Sequence, residues 1–183
     1  MRAEQTPLKD CFIIHDTIFK DERGYFFESF NRSKFLAQTG LDVNFVQDNQ
    51  SKSEFGVLRG LHFQKNEFAQ AKLVRVLQGK VLDVAVDIRK NSPTYRQSFS
   101  LELSDTSSSQ LFIPRGFAHG FVVLSETAVF FYKCDNYYNK ESEGGIAYND
   151  PDLAINWMVE PNKIILSDKD KLHPTLKQTE ASL

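Results

Sequence analysis

Lys80 to Ile88 is the stretch that most restricts the fold. It alternates, with Leu82, Val84, Val86 and Ile88 on one face of a strand and Val81, Asp83, Ala85 and Asp87 on the other. A face that mixes small apolar residues with aspartates is unsuited to solvent. It suits the interior of a closed β-structure that holds a ligand. Lys72 to Leu77 alternates in the same way, and Gln78-Gly79 between the two segments reads as the turn of a hairpin. Lys72, Val74 and Val76 then share a face, on which Lys72 either turns inward or snorkels to the surface.

The rest of the chain repeats this grammar of short strands and frequent turns. Cys11 to His15 reads as a strand, Asp21-Glu22-Arg23-Gly24 as a turn, and Tyr25 to Phe30 as the returning arm of a hairpin. Arg23 in that turn and Glu28 among aromatics are either solvated surface or pocket residues. Asn31 is placed to cap a helix through Ser33 to Gln38, with Gly40 as its C-cap. Asn44 to Gln50 is a strand that puts Gln47 and Asn49 on one face. Phe99 to Leu103 and Thr127 to Tyr138 are further strands, the latter placing Phe130, Tyr132 and Cys134 together. Pro114, Gly116 and Gly120 punctuate a turn that presents His119. From Glu141 onward the signals suggest a loop-rich lid with one short strand near Ile164 to Leu166, followed by a polar tail over about 177–183. Many strands with little helix predict an all-β sandwich or barrel, and 183 residues fit one domain spanning 1–183.

Charge narrows the partners. A net charge of −2 and a pI near 6.1 leave no global basic field for nucleic acid or an anionic membrane surface, and no apolar run is long enough to span a bilayer. Any phosphate must be held by a local group of arginines and lysines. Cys11 and Cys134 have neither a disulfide framework nor zinc spacing, which fits a reducing compartment and a cytoplasmic protein.

Chemistry enters at Val57-Leu58-Arg59-Gly60-Leu61-His62-Phe63-Gln64. Histidine titrates near neutrality, so His62 is a potential proton acceptor or donor. Strict alternation places Arg59 and His62 on opposite faces of a straight strand. A shared pocket therefore requires a bulge, for which Gly60 is the candidate. Two histidines, a lysine, a strand tyrosine and several carboxylates suit proton removal next to a carbonyl, which needs a base, a group to stabilise the enolate oxygen and an acid on the opposite side.

Six segments, in order, resemble the dTDP-4-dehydrorhamnose 3,5-epimerase family, whose members are cupin-type jelly rolls. They are Asp21 to Gly24, Phe45 to Asn49, Gly56 to His62, Asp83 to Asp87, Pro114 to Gly120 and Ser167 to Asp170. The resemblance implies that His62 is the base acting on C5 and C3 of a 4-keto sugar, oriented by Asp170. It implies that Lys72 stabilises the enolate, that Tyr132 is the opposite-face acid, and that His119, supported by Asp83, belongs to the same pocket. Arg23, Glu28, Gln47, Asn49, Arg59, Lys72, His119, Glu143 and Lys169 correspond to substrate contacts, with Arg23 and Arg59 preferred for the diphosphate because guanidinium pairs with phosphate oxygens. The family's usual tyrosine after the histidine is here Phe63. The implied partners are a dTDP-4-keto-6-deoxyhexose and a second copy of the chain, through a strand exchanged near the N-terminus. Metal-binding cupins use a His-x-His pair followed by a glutamate. Here His62 has no second histidine at that spacing and Lys72 stands where the glutamate belongs, so no metal and no cofactor are expected. The rival readings are a C3-only or C5-only epimerase, a 3,4-ketoisomerase, and a non-catalytic sugar-binding jelly roll.

Overall fold

The computed structural model describes residues 1–180. Its strands are β1 (Arg2–Gln5), β2 (Phe12–His15), β3 (Phe19–Asp21), β4 (Gly24–Phe26), β5 (Gln47–Glu54), β6 (Leu58–Gln64), β7 (Lys72–Gln78), β8 (Lys80–Asp87), β9 (Ser98–Ser104), β10 (Ser109–Ile113), β11 (Phe117–Val123), β12 (Thr127–Cys134) and β13 (Glu143–Gly145). Two short helices, α1 (Arg32–Thr39) and α2 (Leu176–Glu180), complete the regular elements with three single 3-10 turns. Six strands form one sheet in the order β1-β2-β10-β7-β12-β5 and five form another in the order β13-β6-β11-β8-β9, while β3 and β4 pair only with each other. This is the expected all-β jelly-roll sandwich.

The sandwich closes because both sheets contribute apolar side chains to one interior. Val74, Val76, Leu111, Ile113 and Phe130 from the first sheet meet Val81, Ala85, Leu103, Phe117 and Phe121 from the second. The five-stranded sheet is also covered outside. Leu58, Leu61, Phe63, Leu82, Val84 and Val86 pack against Ile146, Leu153, Trp157 and Leu176. All of β11 and all but the first residue of β8 are consequently buried. The six-stranded sheet is covered locally by α1, whose Phe35 packs on Phe112 and Ile14. Asn31 caps α1 through the Lys34 amide and Gly40 closes it in a left-handed conformation, as the sequence predicts.

Five expectations require correction. Lys72–Gln78 and Lys80–Asp87 are not a hairpin: β7 lies between β10 and β12 in one sheet, and β8 lies between β11 and β9 in the other. Gly79, at φ +81°, is the corner through which the chain changes sheets. Cys11 to His15 does not pair with the Tyr25 segment; β2 pairs with β1 and β10, and the hairpin is the smaller β3–β4. His119 sits in the middle of β11 rather than on a turn. The segment after Glu141 is an outer cover, with its strand at Glu143–Gly145 and only a single parallel bridge at Ile165. Part of the expected tail is helical: Asp150 accepts from the Leu176 amide at 2.7 Å, and Leu176 and Thr179 are buried. Residues 181–183 of that expected tail lie outside the described residues.

A buried ion pair pins the N-terminal segment to this frame. Asp87 accepts from Arg89 at 2.8 Å, Ser92 at 2.5 Å and Thr94 at 2.7 Å, and Arg89 also reaches Asp10 at 3.0 Å. Burial raises the affinity of Asp87 for a proton, but these hydrogen bonds outweigh it and hold the carboxyl below the usual range. A depressed carboxyl pKa contributes stability that is present above its unfolded value and is lost as pH falls through the folded one. Asp87→Asn should therefore cost about 3 kcal/mol in urea melts at neutral pH and make the loss of stability below the ordinary aspartate pKa shallower. An unchanged acid limb would show that the pair does not contribute to it.

Candidate active site

β6 builds one wall of the cleft by breaking its own alternation. Opposite β11, Arg59 faces Phe121 and His62 faces His119, so three steps on β6 span two on β11. The additional residue turns Arg59 and His62 toward the same side. Leu58, Leu61 and Phe63 remain in the outer core. Gly60 has φ +135°, and a Cβ there would lie 2.5 Å from the Gly120 Cα and 2.9 Å from the His119 carbonyl oxygen. The expected bulge is therefore present, at the expected residue.

His62 Nε2 lies 2.6 Å from Asp170 Oδ1, although the two are 108 residues apart. Asp170 opens a 3-10 turn, is 4% exposed, and donates its amide to Ser167 Oγ at 3.1 Å. Burial alone would raise the pKa of Asp170, but the hydrogen bond and the charge of His62 bring it below the usual carboxylate range. An ionised Asp170 accepts a hydrogen bond from Nε2–H, which keeps the ring proton on Nε2 and leaves the lone pair on Nδ1. Beside it, His119 Nε2 meets Asp83 Oδ2 at 2.8 Å, with both residues buried. Burial lowers the pKa of His119 against the pull of Asp83, so the ring is neutral at pH 7.

The facing wall comes from the other sheet. Tyr132 on β12 is paired with Asn49 on β5 and Val74 on β7, and the Lys72 ammonium lies 5.7 Å from the Tyr132 ring centroid. Burial raises the pKa of the Tyr132 phenol and lowers that of Lys72. The phenol is therefore a protonated donor. Asn49, Arg59, His62, Lys72, His119 and Tyr132 line a single cleft of about 280 Å³ floored by Phe121 and Phe130.

The rim accounts for three more of the sequence-predicted residues. Gln47 donates to Asn49 Oδ1 at 3.1 Å and accepts the Tyr138 amide at 3.1 Å. Glu143 accepts from the Tyr138 hydroxyl at 3.0 Å and forms an ion pair with Lys169. Arg23 and Glu28 are not brought to the cleft of their own chain. Arg23, with its side chain 85% exposed, pairs with Asp21 at the tip of β3–β4, and Glu28 pairs with Lys34 at 2.9 Å.

Sequence reasoning missed Tyr138 and His173. The His173 ring stands edge-on to His62 at 5.4 Å, and its Nε2 is 3.2 Å from Asp170 Oδ1. The available signal was the spacing Asp170-x-x-His173, because residues three apart in a 3-10 turn eclipse. His62, Asp170 and His173 each present a ligand atom within 4.8 Å of the others, the one such group among the described residues. It shares only His62 with the His-x-His and glutamate pattern of metal-binding cupins.

Residues 5–178 match the family model described as dTDP-4-dehydrorhamnose 3,5-epimerase. The chain is 52% identical over 174 residues to the dTDP-4-dehydrorhamnose 3,5-epimerase of Salmonella typhimurium, covering 95% of this chain and 94% of that one. It superposes on the crystal structure of the Elizabethkingia anophelis dTDP-4-dehydrorhamnose 3,5-epimerase with a TM-score of 0.96 at 58% identity, covering 98% of each chain. A Legionella pneumophila dTDP-6-deoxy-D-glucose-3,5-epimerase, solved in complex with dTDP-4-keto-L-rhamnose, gives 0.94 at 47% identity, covering 99% of this chain and 95% of that one.

Gly60→Ala tests the bulge. The new Cβ meets backbone rather than a flexible side chain, so the variant should lose at least about 2 kcal/mol of stability and lose activity out of proportion to its folded fraction. A variant that melts and turns over like the parent would show that the wall does not depend on this bulge.

Proposed function

Because the chain belongs to the dTDP-4-dehydrorhamnose 3,5-epimerase family, we propose that it inverts C3 and C5 of dTDP-4-dehydro-6-deoxy-D-glucose to give dTDP-4-dehydro-L-rhamnose. The observation that carries this reading is the division of one cleft between two sheets, with a histidine on β6 facing a tyrosine on β12. Inversion requires a proton to leave one face of the sugar and another to arrive on the opposite face.

The Nδ1 lone pair of His62 takes the proton from carbon next to the 4-keto group, and ionised Asp170 stabilises the resulting imidazolium. Lys72 supports the developing enolate oxygen in a site where burial strengthens its field. Tyr132, whose raised pKa keeps it protonated, returns a proton from the far side. The ketone itself acidifies the carbons on either side of it, so the sequence of steps uses no cofactor. Neutral His119, held by Asp83, together with Gln47 and Asn49, hydrogen-bonds the sugar, and Glu143 and Lys169 close the rim. Arg59, exposed at the mouth, binds the diphosphate.

The partner in solution is a second copy of the chain. What supports this is the β3–β4 hairpin, which pairs with no other strand and exposes Phe19 at 63%, Tyr25 at 69% and Phe26 at 71%. Seated on a second copy, it would cover that apolar surface and bring Arg23 and Glu28 to a cleft their own chain does not supply. Two buried free thiols fit a cytoplasmic enzyme, and no helix of the described residues is long and apolar enough to cross a membrane.

Turnover in deuterated buffer should place label at both C3 and C5; label at one carbon only would identify a single-position epimerase. His62→Ala should lower kcat by about 10²–10⁴ and stop exchange at both carbons. Tyr132→Phe should still exchange hydrogen while forming little inverted product, and an unchanged yield would return Tyr132 to the role of a core aromatic.

A further inference from the structure

We infer that His62, Asp170 and His173 form an inhibitory binding site for a borderline-soft divalent cation, zinc in the first instance. The three side chains offer two imidazole nitrogens and one carboxylate oxygen, all within 4.8 Å of one another. Two histidines and one carboxylate with a fourth position left open is a zinc donor set, and bonds of about 2.0–2.2 Å imply ligand separations of about 3.3–3.5 Å. His173 Nε2 to Asp170 Oδ1, at 3.2 Å, is already close to that spacing. His62 Nε2 to Asp170 Oδ1, at 2.6 Å, would open by less than about 1 Å as the cation replaces the proton between them.

A second observation points to a ligand independently. His173 Nε2 is buried and makes no hydrogen bond, despite its distance to the carboxylate. The two imidazoles compete for one oxygen, and the well-aligned bond goes to His62. A buried polar atom without a partner is costly, and a cation at this point would satisfy it. The surroundings do not oppose the charge: Lys169 is paired with Glu143, and Lys171 is paired with Asp168 at 2.9 Å. His173 is held in place by close packing on β13, where a Cβ on Gly145 would fall 2.3 Å from the ring.

The consequence for catalysis follows from the tautomer and rests on His62 being the base. Coordination uses the Nε2 lone pair, so the ring changes tautomer: the Nε2 proton passes to solvent, Nδ1 takes one up from solvent, and the neutral ring is left with its one proton on Nδ1. The lone pair that would remove the substrate proton is gone, so the zinc-bound form is inactive. Magnesium, which prefers oxygen ligands and retains its waters, should have no such effect.

The test uses the full chain after treatment with a chelator and dialysis. Calorimetric titration with zinc should give one site per chain, the epimerisation rate should fall with the same midpoint, and chelator should restore it, while magnesium changes neither. His173→Ala and His173→Gln, each compared with its own metal-free rate, should weaken both zinc binding and zinc inhibition by at least about tenfold. Using two variants guards against one that fails to fold. Absence of binding at millimolar zinc, or parental sensitivity in both variants, overturns the site. Stoichiometric binding without loss of rate overturns the inhibition and counts against His62 as the base, so the two failures are distinguishable.

Discussion

The contact between β6 and β11 at Gly60 and Gly120 leaves no room for a Cβ on either strand. Much follows from that approach. It allows β6 to carry one residue more than its neighbour, and so to send Leu58, Leu61 and Phe63 outward while Arg59 and His62 point inward. With a regular register, the histidine or the arginine would lie in the outer core, where a charged group without a partner is costly. The outer core and the cleft are two consequences of one backbone irregularity.

The five-stranded sheet is covered on both faces, and the cleft lies between it and the six-stranded sheet. Most sandwiches leave an outer face to solvent; here Ile146, Leu153, Trp157 and Leu176 take its place. Burial lowers the pKa of His119 and of Lys72 and raises that of Tyr132, so in each case the surroundings work against the charged form. Asp170 and Asp87 are the opposite case. Specific hydrogen bonds overcome the cost of burial, and both carboxyls stay ionised. Which aspartates carry charge is decided by the donors around them and not by depth alone.

Local signals in the chain transferred well to the structure, and long-range ones did not. The caps of α1, the two-sided burial of Val81 to Ile88 and the bulge at Gly60 each depend on a few adjacent residues, and each was legible. The join at Gln78-Gly79 looks like a hairpin because turn chemistry is local, whereas the choice of sheet is settled by partners distant in the chain, Val129 opposite Gln78 and Ser104 opposite Lys80 among them. His119 was misplaced because Gly116 and Gly120 read as punctuation, although Gly120 serves close strand packing. The membership of the cleft came from resemblance, since no spacing rule connects His62 with Asp170. Arg23 and Glu28 remain outside the cleft of a single chain, and His173 was invisible because a single 3-10 turn leaves almost no periodic trace.

The C-terminal cover has one more consequence. The segment that shields the five-stranded sheet also contains Asp170, so the outer core and the histidine–aspartate pair close together. Until that segment docks, His62 has no carboxylate to fix its tautomer and β6 has no outer packing. On the proposed reading of His62 as the base, the activity is tied to the docking of this cover, because the cover supplies both the carboxylate that orients the ring and the packing behind its strand.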